Sequence, residues 1–509
     1  MKKILAVVLS LLMILITAAG CAGTTPAPVS SQTVSSQASS AVPTESVKAP
    51  KYVFLFIGDG MSYVQLNAAQ VLNGNSKSGE VATKSLNFAQ FPVAGVATTY
   101  DSTSFCPDSA STATAISCGV KTHSGVLGLA ADKATKPESI TEKLKKAGKK
   151  IGIVSSVTIN HATPAAFYAH IASREEYYDI AKQMADSGFD YFGGGAVNKP
   201  TGKEKDQPDV TEYIASKGYK IAKTKEEIEA LNASSGKVYA MTPVTEDSGS
   251  MPYSMDTKSG ELVLADYVKK GIDVLDNDNG FFMMCESGKI DWAGHANDAM
   301  STITDVIGLE KAVQVAMDFA SKHPDETLIL VTGDHETGGM TIGYAATGYN
   351  TAFSILNKQK TSYVAFDGIL TKMKEENPKL TLEDVLPVIK ENFGLIAPTD
   401  ADAKVEANKD FVLTEGEFAK LQDDFKQSMI PADKREKTDA SALLYGTYDP
   451  LSVTLTHIIN NKAGIGWTSY SHTGVPVPVY ATGKSAEAFE GSYDNTDIFK
   501  KLVEVCGLK

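Results

Sequence analysis

The sequence predicts an α/β protein, a three-layer sandwich with a central, largely parallel sheet and a mostly helical insertion. Three observations predict it. Continuous apolar runs of strand length recur along the chain, as strands covered on both faces require. Amphipathic helical stretches lie between them, the alternation of parallel strands joined by crossovers. Two runs end in Gly-Asp and a third in Cys-Glu, which places carboxylates at strand C-terminal ends, where open α/β sheets put their sites.

Taken in order, the chain opens on a targeting pattern. Lys2 and Lys3 form a charged start, Ile4 to Ile16 a short apolar stretch, and Ala18-Ala19-Gly20-Cys21 follows. Small residues before a cysteine resemble a bacterial lipoprotein signal, with residues 1–20 removed and Cys21 lipidated; Ala18 stands where Leu is more usual. The expected location is therefore outside the cytoplasm. The chain would be lipid-anchored at the outer face of the cytoplasmic membrane, or at the outer membrane or in the periplasm of a diderm source. Residues 21–50 are rich in Ser, Thr, Ala, Pro and Val without periodicity, a disordered tether. Its r.m.s. reach is about 30 Å.

Residues 51–509 carry the folded part. Tyr52 to Ile57 reads as a buried strand ending at Gly58-Asp59-Gly60. Phe105 to Ala115 runs from a proline-containing loop into a small-residue helix that Gly119 can end. Ser109 lies where this helix begins, so backbone N–H groups and the positive end of the dipole point at its hydroxyl. That suits a nucleophile taking up a phosphate or an acyl oxyanion, although an isolated D-S-A more often reads as a capping serine. Residues 139–147 form an amphipathic helix stopped by Gly148, and Ile151 to Ser156 a second strand. Helices at 175–186 and 261–276 follow. Gly280 to Met284 is a strand ending in Cys285-Glu286, and Thr327 to Thr332 one ending in Gly333-Asp334-His335. From about 345 to 465 the pattern turns helical. One helix starts at Thr381 and kinks at Pro387. Another is capped by Thr414 and Glu417 and runs to about Met429, and a third starts at Asp449-Pro450 and runs to about Asn460. The chain returns to the sheet near Ile465-Gly466-Trp467.

The chain has 509 residues with a net charge of −13 and no Lys/Arg run, which argues against nucleic acid as a specific partner. Beyond Cys21, four cysteines are left, Cys106, Cys118, Cys285 and Cys506, whose pairing the sequence leaves open. Of eight histidines, three fall in acid-rich positions: Asp291-Trp292-Ala293-Gly294-His295, Asp334-His335 and Ser471-His472. Such oxygen and nitrogen donors suit Zn²⁺, and all-oxygen sets suit Mg²⁺. His123, His170, His323 and His457 read as structural or surface residues.

Together the motifs I-G-D-G-M, D-S-A-S-T-A-T-A, H-A-T-P-A, S-R, E-S-G-x-I-D-x-x-x-H, T-x-D-H-E and S-H-T-G strongly resemble the alkaline phosphatase family, in its order, across residues 53–480. The resemblance implies hydrolysis of phosphate monoesters of broad kind. Ser109 would be the nucleophile, passing through a phosphoserine. Asp334, His335 and Asp59 would bind one Zn²⁺, and Asp291, His295 and His472 a second. Glu286 and Thr163, with Asp59 bridging, would hold a third ion, usually Mg²⁺. Arg174 would clamp two phosphate oxygens, which its fork suits; alone, an arginine there reads as a surface ion pair. His161 aligns with a position that is Asp in some bacterial members and His in vertebrate ones, and Trp292 stands where some carry Lys or His. Both are candidates to lie just behind the ligands. The divalent ions and Arg174, set against four carboxylates, leave a positive surplus matching a phosphate dianion and a serine alkoxide. In similar proteins such insertions cover the active site or form dimer contacts, and both readings, with the homodimer the second allows, stay open.

Two other readings compete. A phosphodiesterase or sulfatase could use a similar metal core, but Ser109 lacks the C/S-x-P-x-R context of sulfatases, and diesterases commonly offer Thr as nucleophile. A phosphate-capturing lipoprotein would share the tether but has no need of paired zinc. The targeting pattern carries its own test. Cys21→Ser should release the protein into the medium, and an unmodified mature terminus at another residue would refute lipidation.

Overall fold

The computed structural model describes residues 49–75 and 81–509; the signal pattern, Cys21 and nearly all of the tether lie outside the described residues. Among the described residues no helix is long and apolar enough to cross a membrane.

Ten strands form the central sheet. In chain order they are β1 (Tyr52–Gly58), β2 (Val93–Thr98), β3 (Lys150–Ser155), β4 (Tyr191–Gly194), β5 (Lys220–Ala222), β6 (Val238–Met241), β7 (Phe281–Ser287), β8 (Thr327–Gly333), and then β13 (Val477–Gly483) and β14 (Gly491–Asp494). Four two-residue strands lie outside it: β9 (Glu336–Thr337), β10 (Thr341–Ile342), β11 (Ile465–Gly466) and β12 (His472–Thr473). The spatial order in the main sheet is β14-β2-β13-β8-β1-β7-β3-β4-β6-β5. Every neighbouring pair is parallel except those made by β13, which runs against both β8 and β2.

The sheet is covered on both faces, as the apolar runs require. Along β1, Tyr52, Phe54 and Phe56 enter one hydrophobic core while Val53, Leu55 and Ile57 enter the other. This is the period-2 alternation of a strand applied to a sequence apolar at every position. The first core holds the long helix Ala299–Ala320; the second holds the helix Ser109–Cys118.

Register decides where the carboxylates fall. Gly58 pairs with both Ser287 of β7 and Gly333 of β8. Asp59 and Asp334 therefore leave two adjacent strands at the same level. Glu286 lies one residue back on the third, opposite Ile57 and Ser155. Strand β7 continues through Ser287, beyond the expected end at Met284, because it is paired on both sides through Glu286 and with β1 at Ser287. Glu286 is thus a strand residue held on a fixed backbone.

The helical segment leaves after β10 and returns at β11, which pair antiparallel, so its two ends meet. Between them lie helices Tyr363–Glu376, Leu382–Phe393, Glu415–Ser428, Asp439–Tyr445 and Pro450–Ala463. Thr381, Thr414 and Asp449 cap three of them through side-chain bonds. The helix begun at Leu382 continues through Pro387 to Phe393 and ends on left-handed Gly394.

The stacked aromatics under β1 give a stability test. Phe54 is fully buried, edge-on to Phe281 at 5.3 Å and to Phe319 at 5.8 Å between ring centroids. Phe54→Ala should cost about 3–5 kcal/mol, read as a lower denaturant midpoint; an unchanged midpoint would show that this layer does not hold the sheet.

Candidate metal centre

Ser109 is the first residue of its helix. Asp108 is the cap, accepting from Ser111 N at 3.0 Å, and Gly119 ends the helix in a left-handed conformation. All ten residues of this helix are buried, which is why they are small. The turn delivers the Ser109 hydroxyl to the ends of β1 and β8: Oγ lies 3.1 Å from His335 Nε2 and 3.4 Å from Asp59 Oδ1.

His335 Nε2 also lies 3.4 Å from Asp59 Oδ1 and 3.3 Å from Asp334 Oδ2. Asp334 is fixed by donors on its outer side: Gly60 N and His335 N to Oδ1, Thr112 Oγ1 to Oδ2. On the other side, His295 and His472 face each other with Nε2 atoms 3.0 Å apart, and Asp291 Oδ1 is 3.4 Å from one and 3.5 Å from the other. His472 arrives because β12 pairs with β9, opposite Thr337; its ring stacks on His335 at 3.7 Å.

The tautomers follow from the outer bonds. His295 Nδ1 is 2.6 Å from Tyr470 O, and His472 Nδ1 is 2.6 Å from Pro107 O. Carbonyls only accept, so both Nδ1 atoms carry the hydrogen, and in the neutral ring that can bind a cation each Nε2 presents a lone pair. Two lone pairs and a carboxylate oxygen converge on one point, an arrangement that calls for a cation. His335 repeats the logic. Thr337 Oγ1 donates to Asp291 Oδ1 at 2.5 Å and so accepts from His335 Nδ1 at 3.3 Å, leaving His335 Nε2 as a lone pair.

A third cluster lies behind. Thr163 Oγ1 donates to Asp59 Oδ2 at 3.2 Å, and Ser155 Oγ donates to Glu286 Oε2. His161 precedes the short helix Ala162–Ala165 and comes together with Asp59 and Glu286. The ligand atoms of this set lie within 4.8 Å of one another, as they do for Asp59, Asp291 and His335 and for Asp291, His295 and His472. His161 Nε2 accepts from Arg174 Nη2 at 3.1 Å, its Nδ1 is buried with no hydrogen-bond partner, and its ring meets Trp292 edge-on. Glu286 Oε1 is likewise buried and unpartnered. Arg174 also donates through Nη1 to Asp108 Oδ2 at 2.9 Å, which holds its fork beside Ser109.

The charges fit cation binding. Burial, then the carboxylates Asp334, Asp291 and Glu286, push Asp59 well above the usual carboxylate range. Burial pushes Glu286 up to about 7 and Asp334 up to about 6. Burial also opposes charge on Asp291, but His295, His472 and His335 together outweigh it and hold that carboxyl well below its ordinary value. Buried carboxylates this close stay ionised together only with positive charge among them.

All the ligand candidates, Asp59, Thr163, Glu286, Asp291, His295, Asp334, His335 and His472, thus meet at one place with Ser109 and Arg174. Thr337, Thr112, Ser155 and Asp108 orient them without being marked in the sequence, because lone hydroxyls and a capping Asp carry no spacing signal. Elsewhere, His170 bonds Gly128 O and Glu142, and His323 packs on Tyr52. The cysteines beyond the tether are all free thiols, with Cys106 exposed and the other three buried.

A family model described as alkaline phosphatase matches residues 50–508. Alkaline phosphatase 3 of Bacillus subtilis is 30% identical over 495 residues, covering 94% of this chain and 95% of that protein. Among solved structures, the alkaline phosphatase of Thermus thermophilus superposes with a TM-score of 0.72 at 25% identity, covering 91% of this chain and 92% of that one. A mutant alkaline phosphatase of TAB5, with one histidine replaced by aspartate and Mg bound in the M3 site, superposes at 0.61 with 28% identity, covering 91% and 99%.

The hydroxyl shared by Asp291 and His335 gives the test of this geometry. Thr337→Val keeps the shape and removes both bonds. Metal affinity should fall roughly 10–100-fold, measured by competition with a chromophoric chelator; unchanged retention would show that Thr337 orients neither ligand.

Proposed function

Since the chain belongs to the alkaline phosphatase family, metal-dependent enzymes that hydrolyse phosphate monoesters, we propose that it works through a phosphoserine on Ser109 at a centre of two Zn²⁺ and one Mg²⁺. Asp334, His335 and Asp59 would hold one Zn²⁺, Asp291, His295 and His472 the other, and Glu286 and Thr163 with Asp59 the Mg²⁺. When bound, such ions lower the pKa of a hydroxyl or water and neutralise charge on leaving and attacking oxygens. The observation that carries this reading is the pair of facing Nε2 lone pairs on His295 and His472, joined by Asp291.

The chain's own groups supply positioning. The first N–H groups of the Ser109–Cys118 helix have no acceptor within it and face an incoming phosphate. Arg174, steadied by Asp108, offers its fork to two non-bridging oxygens. Ser109 Oγ forms a bond to phosphorus as the ester P–O bond breaks and the alcohol leaves with a proton. Water then attacks the phosphoserine, releasing inorganic phosphate and returning Ser109 to its hydroxyl. Two in-line displacements give net retention at phosphorus. The amino-terminal pattern supports a separate proposal, export with membrane attachment through Cys21, and dimer contact stays one of the two roles open to the helical segment.

Two experiments test it. Purified protein should carry about two zinc ions per chain by mass spectrometry. Ser109→Ala should keep them yet form no acid-stable phosphoenzyme, and a phosphorylated residue elsewhere in the wild type would overturn the assignment. The third ion has a separate test. His161 supplies a neutral imidazole, with burial and then Arg174 lowering its pKa to about 3, so it adds no negative charge and favours Zn²⁺ over Mg²⁺. Zinc-loaded enzyme should be activated by added Mg²⁺, and His161→Asp should bind Mg²⁺ more tightly. The TAB5 mutant carrying aspartate for histidine with Mg in its M3 site supports this expectation. A wild type indifferent to magnesium, with the mutant no tighter, would refute it.

A further inference from the structure

Beside the Asp291, His295 and His472 set opens a cavity of about 850 Å³. It shares a wall with the metal centre: His295 lines it, and so does Tyr470, whose carbonyl takes the His295 Nδ1 bond. The helical segment lines it through Tyr344, Leu443 and Tyr448, and Trp467 lines it as well.

The aromatic walls are held in place. Gly338, at φ +89°, lets Trp467 lie against the backbone, where a Cβ would come within 2.6 Å of the indole. Gly446, at φ +57°, does the same for Tyr470, where a Cβ would meet the ring at 2.7 Å. Tyr470 also donates its hydroxyl to Leu444 O at 2.6 Å, tying the short helix Asp439–Tyr445 to the loop that carries His472. The rings of Tyr448 and His457 lie 6.3 and 5.9 Å from that of Tyr470, each inclined by 34°. Leu443, 81% exposed, stands at the rim on a helix with no buried residue.

None of the lining residues is Lys, Arg, Asp or Glu; amides and hydroxyls such as Asn461, Thr447 and Ser471 stand between the rings. A cavity of this size with flat faces, neutral polar groups and no charge suits an uncharged ring-bearing group. We infer that it is the subsite for the leaving alcohol and that the preferred substrates are nucleoside 5′-monophosphates. Their bases would lie on the aromatic faces, their sugars would meet the hydroxyls and amides, and their phosphate would reach Ser109 past His295. The inference rests on the phosphomonoesterase reading above.

The test compares kcat/KM for adenosine 5′-monophosphate with that for glycerol 3-phosphate. Wild type should favour the nucleotide. Tyr344→Ala and Tyr448→Ala should each lower that ratio about tenfold, the scale of one base–aromatic stack, while Tyr448→Phe keeps it. Adenosine alone should inhibit glycerol 3-phosphate hydrolysis competitively, and less so in the two alanine variants. Glycerol 3-phosphate turnover with no preference for the nucleotide, a ratio that neither variant moves, or no inhibition by adenosine would sink the inference alone. Hydrolysis of neither ester would take the phosphomonoesterase reading down with it.

Discussion

Everything at the centre depends on negative charge and lone pairs being forced together out of water. Asp59, Glu286 and Asp334 are fully buried, Asp291 nearly so, and two imidazole nitrogens point at each other across 3.0 Å. Hydrogen bonds from Thr337, Thr112 and Thr163 partner individual carboxylate oxygens but supply no countercharge. The fold keeps such a cluster because cations complete it, in the way that metal binding free energy becomes folding free energy.

The sheet makes the crowding reproducible. Three neighbouring strands, β7, β1 and β8, end in register, so their carboxylates are set by backbone pairing rather than by flexible loops. The remaining ligands are brought in by small devices. A capped helix presents Ser109, a one-turn spacing on helix Lys289–His295 puts Asp291 and His295 on one face, and the two-residue ladder between β9 and β12 delivers His472. Hydroxyls from Thr337, Thr112 and Ser155 then fix which oxygen or nitrogen points inward.

Much of this was legible in the sequence, for physical reasons. Strands buried on both faces must be apolar at every position, so β1 and β8 stood out, and the Gly-Asp ends marked the sites. The helix caps at Thr414 and Asp449 and the helix start at Thr381 were legible because such signals are local. What stayed hidden was non-local. Strands β4, β5 and β6 are short and take their identity from neighbours, and β13 runs antiparallel although no local pattern distinguishes it from its parallel neighbours. That Glu286 belongs to a strand, and that His161 sits between Arg174 and the Asp59–Glu286 pair, depends on pairings across the sheet and between loops that no window of sequence contains.

The bond from His472 to the Pro107 carbonyl joins residues 365 apart in the chain, and β13, inserted between β8 and β2, comes later still. During synthesis the amino-terminal part emerges with its carboxylates but without the imidazole that closes their ring. The order of events is therefore built into the connectivity. The nascent chain cannot assemble a complete ion cage, and the set of Asp291, His295 and His472 stays open until the segment carrying His472 and β13 has folded. A protein arranged this way matures late and all at once.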